Sequence, residues 1–138
     1  MSTGFIFDVD GTLWDSVEVV AESWNLAIKE NSDLEPNLNR EILQGLFGKT
    51  MDEIAAGVFP DLDPDSRRKL MDICFDYENR YLETHPGVYY EGVMDTLKEL
   101  ALEYPLFIVS NCQCGYIEVF LKTTGLKAAV QDHLCFGE

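Results

Sequence analysis

Two short apolar segments of the chain are predicted as buried strands, and the long stretch between them carries only helical patterns. The first segment is Gly4–Phe7 and the second is Pro105–Val109, while His133–Phe136 is a candidate third strand. Strands that alternate with helices form parallel sheets with right-handed crossovers. The order of the segments therefore predicts an α/β fold built on a parallel sheet.

Helical periodicity dominates the stretch between the first two predicted strands. Its apolar residues follow the spacing of amphipathic helices, and the predicted helices begin near Val17, Ile42, Ile54 and Leu70. The acidic segment 61–66 is predicted to be a turn-rich link. We expect residues 16–85 to form a helical insert, and residues 1–15 and 86–138 to form the α/β core.

Composition argues against several classes of function. The 138 residues carry 25 Asp and Glu against 10 Lys and Arg, a formal net charge of −15, so no basic surface for nucleic acid is expected. No apolar run approaches the roughly 18 residues of a membrane span, and the N-terminus lacks the basic start of a signal peptide. We therefore expect a cytoplasmic protein that has neither nucleic acid nor a membrane as partner.

The four cysteines form no recognisable metal or redox motif. Only Cys112 and Cys114 are close in sequence, and a single intervening residue matches neither zinc-binding nor thioredoxin-like spacing. We expect reduced thiols, as in other proteins of a reducing compartment.

Polar side chains follow the first two predicted strands directly. Asp8 and Asp10 are two residues apart, so on an extended backbone their carboxylates point the same way. Gly11 permits a sharp turn without a Cβ clash, and Thr12 offers a hydroxyl and an amide to an anion. Ser110 follows the second strand, and ligands of open parallel sheets bind beyond the carboxyl ends of the strands.

The paired carboxylates have two interpretations from the residues alone. Asp8 and Asp10 repel each other unless a cation or a proton joins them, and hard oxygen ligands favour Mg²⁺ there. Alternatively, they belong to a solvated turn between a strand and a helix. A calcium loop of the EF-hand type does not fit, because the glycine and the final glutamate would stand at the wrong positions.

The stretch Phe7–Ser16, FDVDGTLWDS, resembles the first motif of the haloacid dehalogenase-like hydrolase superfamily. Phe107–Asn111, FIVSN, resembles its second motif. The helical insert resembles the α-helical cap of the phosphoglycolate phosphatase and β-phosphoglucomutase branch. The resemblance thus implies a Rossmann-like parallel sheet with an inserted helical cap.

The same resemblance implies a role for each residue at the two strand ends. Asp8 would be the nucleophile that forms an aspartyl phosphate, and Asp10 would protonate the leaving oxygen and later take a proton from water. The Asp8 carboxylate and the Asp10 backbone carbonyl would hold Mg²⁺. The phosphoryl group would be bound by Gly11, Thr12, Ser110 and Asn111.

Substrate choice is expected to lie in the cap, with a small phosphorylated metabolite as the substrate. The segment Gly45–Thr50 resembles the family's substrate-specificity loop, and its candidate residues are Gly48, Lys49 and Thr50. Lys49 would contact an anionic group of the substrate, although a solvated lysine at the start of a helix is the alternative.

Two further motifs of the family have no counterpart in the chain. One supplies a lysine that pairs with the nucleophile and the phosphate, and the other supplies acidic residues that complete the metal site. The resemblance therefore implies an incomplete sheet, with Phe5–Phe7 as an exposed apolar edge that invites another strand. We expect self-association or completion by a missing C-terminal segment, and little or no turnover from the 138 residues alone.

The leading functional prediction is Mg²⁺-dependent hydrolysis of phosphomonoesters. Asp10 favours this reaction over carbon–halogen cleavage, because a halide leaving group needs no proton. Two alternatives stay open, namely a sugar-phosphate mutase that uses the same carboxylates, and a non-catalytic fragment or interaction module that keeps the fold.

Overall fold

Three parallel strands form the sheet in the computed structural model, which describes residues 2–136. The strands of the chain are β1 (Phe5–Phe7), β2 (Trp14–Asp15), β3 (Val88–Tyr89), β4 (Leu106–Val109) and β5 (Val130–Leu134). The helices are α1 (Val17–Asn31), α2 (Arg40–Gln44), α3 (Met51–Val58), α4 (Pro64–Leu82), α5 (Val93–Ala101) and α6 (Tyr116–Thr124). The parallel sheet has the order β1–β4–β5, and β2 and β3 form a separate antiparallel pair. The predicted α/β fold with a parallel sheet is confirmed.

The register of the sheet aligns the carboxyl ends of β1 and β4. Phe7 pairs with Ile108, so the chain leaves both strands at the same edge of the sheet. The β4–β5 pairing continues to Val109 and Leu134. The segments that follow β1 and β4 therefore begin side by side.

Apolar side chains collect in two clusters. One contains residues of the sheet, α5 and α6, with Trp14 and Phe120 among its fully buried members. The other joins α1, α2, α3 and α4 around Trp24 and Met71. Burial of each such large side chain stabilises the fold by about 1.5–3 kcal/mol. The helical block thus has its own apolar core, while the domain boundaries 1–15, 16–85 and 86–138 stay a prediction.

Trp14 anchors the junction between the sheet and the helical block. Its indole packs edge-to-face on Phe120, with ring centroids 5.0 Å apart, and stacks on Tyr89 at 6.1 Å. A Cβ at Gly87 would lie 2.8 Å from the indole, so the backbone passes this ring closely only because residue 87 is glycine. The β2–β3 pair, which sequence analysis did not predict, therefore joins the two ends of the block.

Two element boundaries differ from the sequence prediction. The third parallel strand is Val130–Leu134 rather than His133–Phe136, so it begins earlier. Helix α4 begins inside the predicted link, because the Asp63 side chain caps the helix and a proline suits its first turn.

The first strand is an edge strand rather than a buried one. Among the described strands β1 pairs only with β4, and Ile6 at its centre is 70% exposed. The exposed apolar edge that the resemblance implied is thus present in residues 2–136. Among the same residues, no helix combines the length and the apolarity that crossing a bilayer requires.

Candidate active site

A cavity of about 190 Å³ lies beyond the carboxyl ends of β1 and β4. Its lining residues are Asp8, Asp10, Gly48, Val109, Ser110 and Asn111. A second cavity of about 350 Å³ shares Asp8, Asp10 and Gly48 with it and extends along the helical block to Tyr90. A larger cavity of about 450 Å³ inside the helical block contains none of the predicted site residues. The predicted carboxylates and the residues after β4 therefore meet in one place.

The turn after β1 presents the Asp8 carboxylate to solvent. Asp8 is exposed, and its Oδ1 accepts a hydrogen bond of 2.8 Å from the Val9 amide. Gly11 has φ +72°, a conformation that strains residues with a Cβ, so the expected sharp turn at glycine is confirmed. The turn thus leaves Asp8 accessible at the mouth of the cavity.

The amides of Gly11 and Thr12 donate hydrogen bonds within the turn after β1. The Gly11 amide donates to the Trp14 carbonyl at 3.0 Å, and the Thr12 amide donates to the Val9 carbonyl at 3.1 Å. Thr12 lines neither cavity beside Asp8. Both amides thus take part in the hydrogen bonds of the turn, and their role in phosphate binding stays a prediction.

Asp10 is held by two hydroxyl groups. Ser16 Oγ donates to Asp10 Oδ1 at 3.0 Å, and the buried Tyr116 hydroxyl donates to the same oxygen. The Trp14 indole N–H in turn donates to the Tyr116 oxygen at 3.0 Å. Ser16 is the N-cap residue of α1, but its hydroxyl donates to Asp10 and does not cap the helix. The Asp15 side chain accepts a hydrogen bond from the Val17 amide. The orientation of the Asp10 carboxyl group is therefore fixed.

Burial raises the pKa of Asp10 above its ordinary value. The negative charge of Asp8 raises it further, while the hydrogen bonds from Tyr116 and Ser16 act in the opposite direction. A carboxyl group with a raised pKa holds its proton more readily, which suits a group that must donate one.

Ser110 and Asn111 form the opposite wall of the cavity. Ser110 is 8% exposed, and its amide donates to the Leu134 carbonyl at 3.1 Å, which continues the β4–β5 pairing. Asn111 is exposed, and its Nδ2 donates to the Gly48 carbonyl at 3.3 Å. This hydrogen bond connects the sheet to the helical block across the cavity.

Of the three candidate specificity residues, only Gly48 lines the cavities. Lys49 is exposed and is absent from both linings, and its contact with the substrate stays a prediction. Thr50 is the N-cap of α3 and exchanges hydrogen bonds with Glu53 in a capping box. Gly48 has φ +90°, a backbone conformation that favours glycine, and its carbonyl accepts the hydrogen bond from Asn111.

The carboxylates of Asp8 and Asp10 suit a hard divalent cation. Both line the same cavity, and the charge of Asp8 acts unfavourably on Asp10. A cation between two carboxylates offsets such repulsion, and oxygen ligands favour Mg²⁺. Within residues 2–136, no three His, Cys, Asp or Glu side chains cluster to hold a metal ion. Among the described residues, Asp8 and Asp10 are thus the candidates for holding a divalent cation.

A buried carboxyl group behind the site was missed by sequence reasoning. Glu78 of α4 is 4% exposed, and the Trp24 indole N–H donates to its Oε2 at 2.8 Å. Burial, with a further contribution from the charge of Asp10, raises the pKa of Glu78 to about 8. Nothing in the local sequence marks it, because an acidic residue in an amphipathic helix normally faces solvent.

The raised pKa of Glu78 predicts that stability falls as the pH rises. Its pKa is about 8 in the folded chain and about 4.5 when unfolded, so the folded chain binds the proton more tightly. The stabilising contribution of the Glu78 proton is complete below about pH 4.5. It decreases between about pH 4.5 and about pH 8, and the free energy of unfolding falls by several kcal/mol at most. Glu78→Gln keeps an oxygen for Trp24 and carries no charge, so we expect it to raise the free energy of unfolding at pH 8.5.

The measurement is urea unfolding of both proteins between pH 5 and pH 8.5. The variant is expected to be close to the parent at pH 5 and to exceed it increasingly at higher pH. Glu99→Gln, at an exposed position of α5, is the matched control and should follow the parent curve. Parallel curves for the parent and Glu78→Gln would contradict the assignment.

Residues 5–135 match the family of haloacid dehalogenase-like hydrolases. No curated protein sequence matches the chain significantly.

Solved structures share the fold across nearly the whole chain. The crystal structure of a predicted phosphoglycolate phosphatase from Haemophilus somnus 129PT has a TM-score of 0.83 at 21% identity, over 99% of this chain and 63% of that one. A hydrolase from Pseudomonas syringae has a TM-score of 0.72 at 22% identity, over 97% and 61%. CbbY from Rhodobacter sphaeroides, in complex with phosphate, has a TM-score of 0.75 at 16% identity, over 98% and 64%. The chain thus spans somewhat less than two thirds of the length of these structures.

Proposed function

The chain belongs to the haloacid dehalogenase-like hydrolase family, and we propose that its site hydrolyses phosphomonoesters of small metabolites with Mg²⁺ through an aspartyl phosphate. The observation that carries the proposal is the shared cavity, in which the exposed Asp8 stands beside the hydroxyl-bound Asp10 and opposite Ser110 and Asn111. The solved structure of similar fold that holds phosphate agrees with this chemistry.

Asp8 is the nucleophile of the proposed reaction. Its carboxylate is exposed, and only its Oδ1 accepts from the neighbouring Val9 amide. A carboxylate oxygen attacks phosphorus, the bond between phosphorus and the ester oxygen breaks, and an aspartyl phosphate results. The alcohol leaves with a proton that another group must supply.

Asp10 supplies that proton and later removes one from water. In the first step the protonated Asp10 donates to the ester oxygen as it leaves. In the second step the Asp10 carboxylate accepts a proton from the water that attacks phosphorus, which releases phosphate and restores Asp8. The hydrogen bonds from Ser16 and Tyr116 keep the carboxyl group in one orientation through both steps.

Ser110 and Asn111 position the phosphoryl group on the other side of the cavity. The Asn111 side chain reaches the Gly48 carbonyl, so the segment that binds phosphate is also in contact with the helical block. Asp8 and the Asp10 backbone carbonyl would hold Mg²⁺, which when bound neutralises negative charge of the phosphate and the carboxylates.

The described residues lack a lysine at the site. No lysine lines either cavity beside Asp8, although positive charge stabilises phosphoryl transfer. We therefore expect little or no turnover from residues 1–138 alone, and we propose full activity for a protein in which a further segment supplies this charge. For the whole protein we propose a small phosphorylated metabolite as the substrate.

Phosphate release in the presence and absence of Mg²⁺ tests the proposed function. With p-nitrophenyl phosphate and a panel of small metabolite phosphates, we expect a chelator to lower the rate by about 10²-fold or more and added Mg²⁺ to restore it. The melting temperature with chelator is the control for unfolding. A rate that is unchanged by the chelator would contradict the proposal.

We further propose that the exposed edge of β1 is covered by another strand, from a second copy of the chain or from a further segment. Ile6 is 70% exposed on a strand that has one described neighbour, and such apolar edges pair with other chains. Light scattering of residues 1–138 should therefore show association that rises with concentration.

Ile6→Lys is expected to reduce this association, because a charged side chain at the edge opposes pairing. Ile42→Lys is the matched control, since Ile42 is 38% exposed on α2 and away from the sheet. A parent chain that stays monomeric at all concentrations would count against the proposal.

A further inference from the structure

Two cysteine thiols approach each other beside the candidate active site. The sulfur atoms of Cys114 and Cys135 are 3.0 Å apart, although the residues are 21 positions apart in sequence. This is about 1 Å more than the length of a disulfide bond, which is roughly 2.05 Å. Cys114 is exposed in the turn before α6, and Cys135 is buried directly after β5.

Backbone hydrogen bonds join the segment after β4 to the end of β5 close to this contact. The Ser110 amide donates to the Leu134 carbonyl at 3.1 Å, and the Phe136 amide donates to the Cys112 carbonyl at 3.0 Å. The β4–β5 pairing thus continues beyond the ends of the strands. This continued pairing keeps the two segments that carry the sulfur atoms next to each other.

The other two thiols are poorly suited to oxidation. Cys74 lies in the core of the helical block and Cys112 lies beneath the site. Burial raises the pKa of each thiol to about 12, so neither forms much thiolate at neutral pH. Cys114 is the exposed thiol of the four, which makes it the point of entry for an oxidant.

We propose that Cys114 and Cys135 form a reversible intramolecular disulfide, an oxidation site that takes hydrogen peroxide as its oxidant. The Cys114 thiolate attacks one peroxide oxygen, the O–O bond breaks, and a sulfenic acid and water are formed. The Cys135 sulfur then attacks the Cys114 sulfur and water leaves. In sum, two thiols lose two protons and two electrons, and the peroxide is reduced to two water molecules.

The crosslink would tie together three parts of the molecule. Cys114 lies between Ser110 of the candidate site and Tyr116, which holds Asp10. Asn79 of α4 donates to the Cys114 carbonyl at 3.0 Å. A disulfide therefore fixes the segment after β4 to the end of β5, at the point where the helical block also contacts it. The formation of this bond does not depend on the proposed hydrolase activity.

Intact mass and melting temperature test the proposal on the purified chain. Limited hydrogen peroxide is expected to lower the mass by about 2 Da in monomeric protein, and to raise the melting temperature by about 5–10 °C. Dithiothreitol should reverse both changes. Peptide mapping after alkylation should show a bond between the peptides that carry Cys114 and Cys135.

Single substitutions identify the two thiols. Cys114→Ser and Cys135→Ser are each expected to lose the mass change and the shift in melting temperature, whereas Cys74→Ala and Cys112→Ser should keep both. Cys114 is exposed, so its serine variant should fold even if the buried positions are less tolerant. A mass change that survives in Cys114→Ser would overturn the proposal. Intermolecular dimers, or oxygen addition without the crosslink, would overturn it as well.

Discussion

Replacing Asp8 with asparagine is expected to remove Mg²⁺-dependent phosphate release, by about 10⁴-fold or to background. An amide oxygen is a weak nucleophile, so the phosphoryl group has no acceptor on the protein. Asparagine has the same size, and its Oδ1 can still accept the hydrogen bond from the Val9 amide that Asp8 accepts at 2.8 Å. The fold should therefore persist, because Asp8 is exposed.

The comparison is phosphate release by the parent and by Asp8→Asn at matched concentrations. Asp72→Asn is the control, because Asp72 is exposed on α4 and lines neither cavity of the site. Melting temperatures of all three proteins should agree within a few degrees, since exposed substitutions change the free energy of unfolding by about 0.5 kcal/mol or less. Near-normal turnover in Asp8→Asn would contradict the proposal that Asp8 is the nucleophile.

Replacing Asp10 with asparagine is expected to separate the two steps of the reaction. p-Nitrophenolate leaves without protonation, so formation of the aspartyl phosphate should survive with this substrate. Hydrolysis of the intermediate needs a base and should slow by about 10²–10⁴-fold. The variant should release a burst of about one p-nitrophenolate per site and then almost stop.

An alkyl phosphate provides the contrast for this variant. Its leaving group needs a proton, so Asp10→Asn should show neither a burst nor turnover with it. The amide side chain of the variant would keep an oxygen for the Ser16 and Tyr116 hydroxyls, which donate to Asp10 in the parent. Equal steady-state rates in the parent and the variant, for both substrates, would contradict the assigned role.

The meeting of Asp8, Asp10 and Ser110 was predictable because it follows from topology. Two apolar strands separated by helices pair in parallel, and the observed register of Phe7 with Ile108 brings their carboxyl ends together. The positive φ of Gly11 followed in the same way from the need for a sharp turn after β1.

The support of Asp10 by Tyr116 was not predictable, because it depends on packing. The two residues are 106 positions apart and meet only when α6 is packed beside Trp14. Helical periodicity places Tyr116 on a buried face but does not reveal which polar group its hydroxyl will meet. The same holds for Glu78, whose burial depends on the contact between α4 and α1.

Short elements and side-chain directions in loops also escaped sequence reasoning. Strands β2 and β3 have two residues each, too few for an alternating pattern. The place of Lys49 in a motif predicts a residue at the site, but the motif does not specify that its side chain is exposed and absent from the lining of both cavities. The spacing of residue types in the sequence predicts neither the two short strands nor the exposure of Lys49, because both depend on the local backbone conformation.

The residue that carries the phosphoryl group during the reaction can be identified by trapping the aspartyl phosphate. The chain is mixed with p-nitrophenyl phosphate and Mg²⁺, reduced with borohydride, and digested for mass spectrometry. Borohydride converts an aspartyl phosphate to homoserine, so even one slow transfer per molecule leaves a mark. We expect homoserine at position 8 in the parent and more of it in Asp10→Asn. A folded chain marked at another residue, or not marked at all, would contradict this expectation.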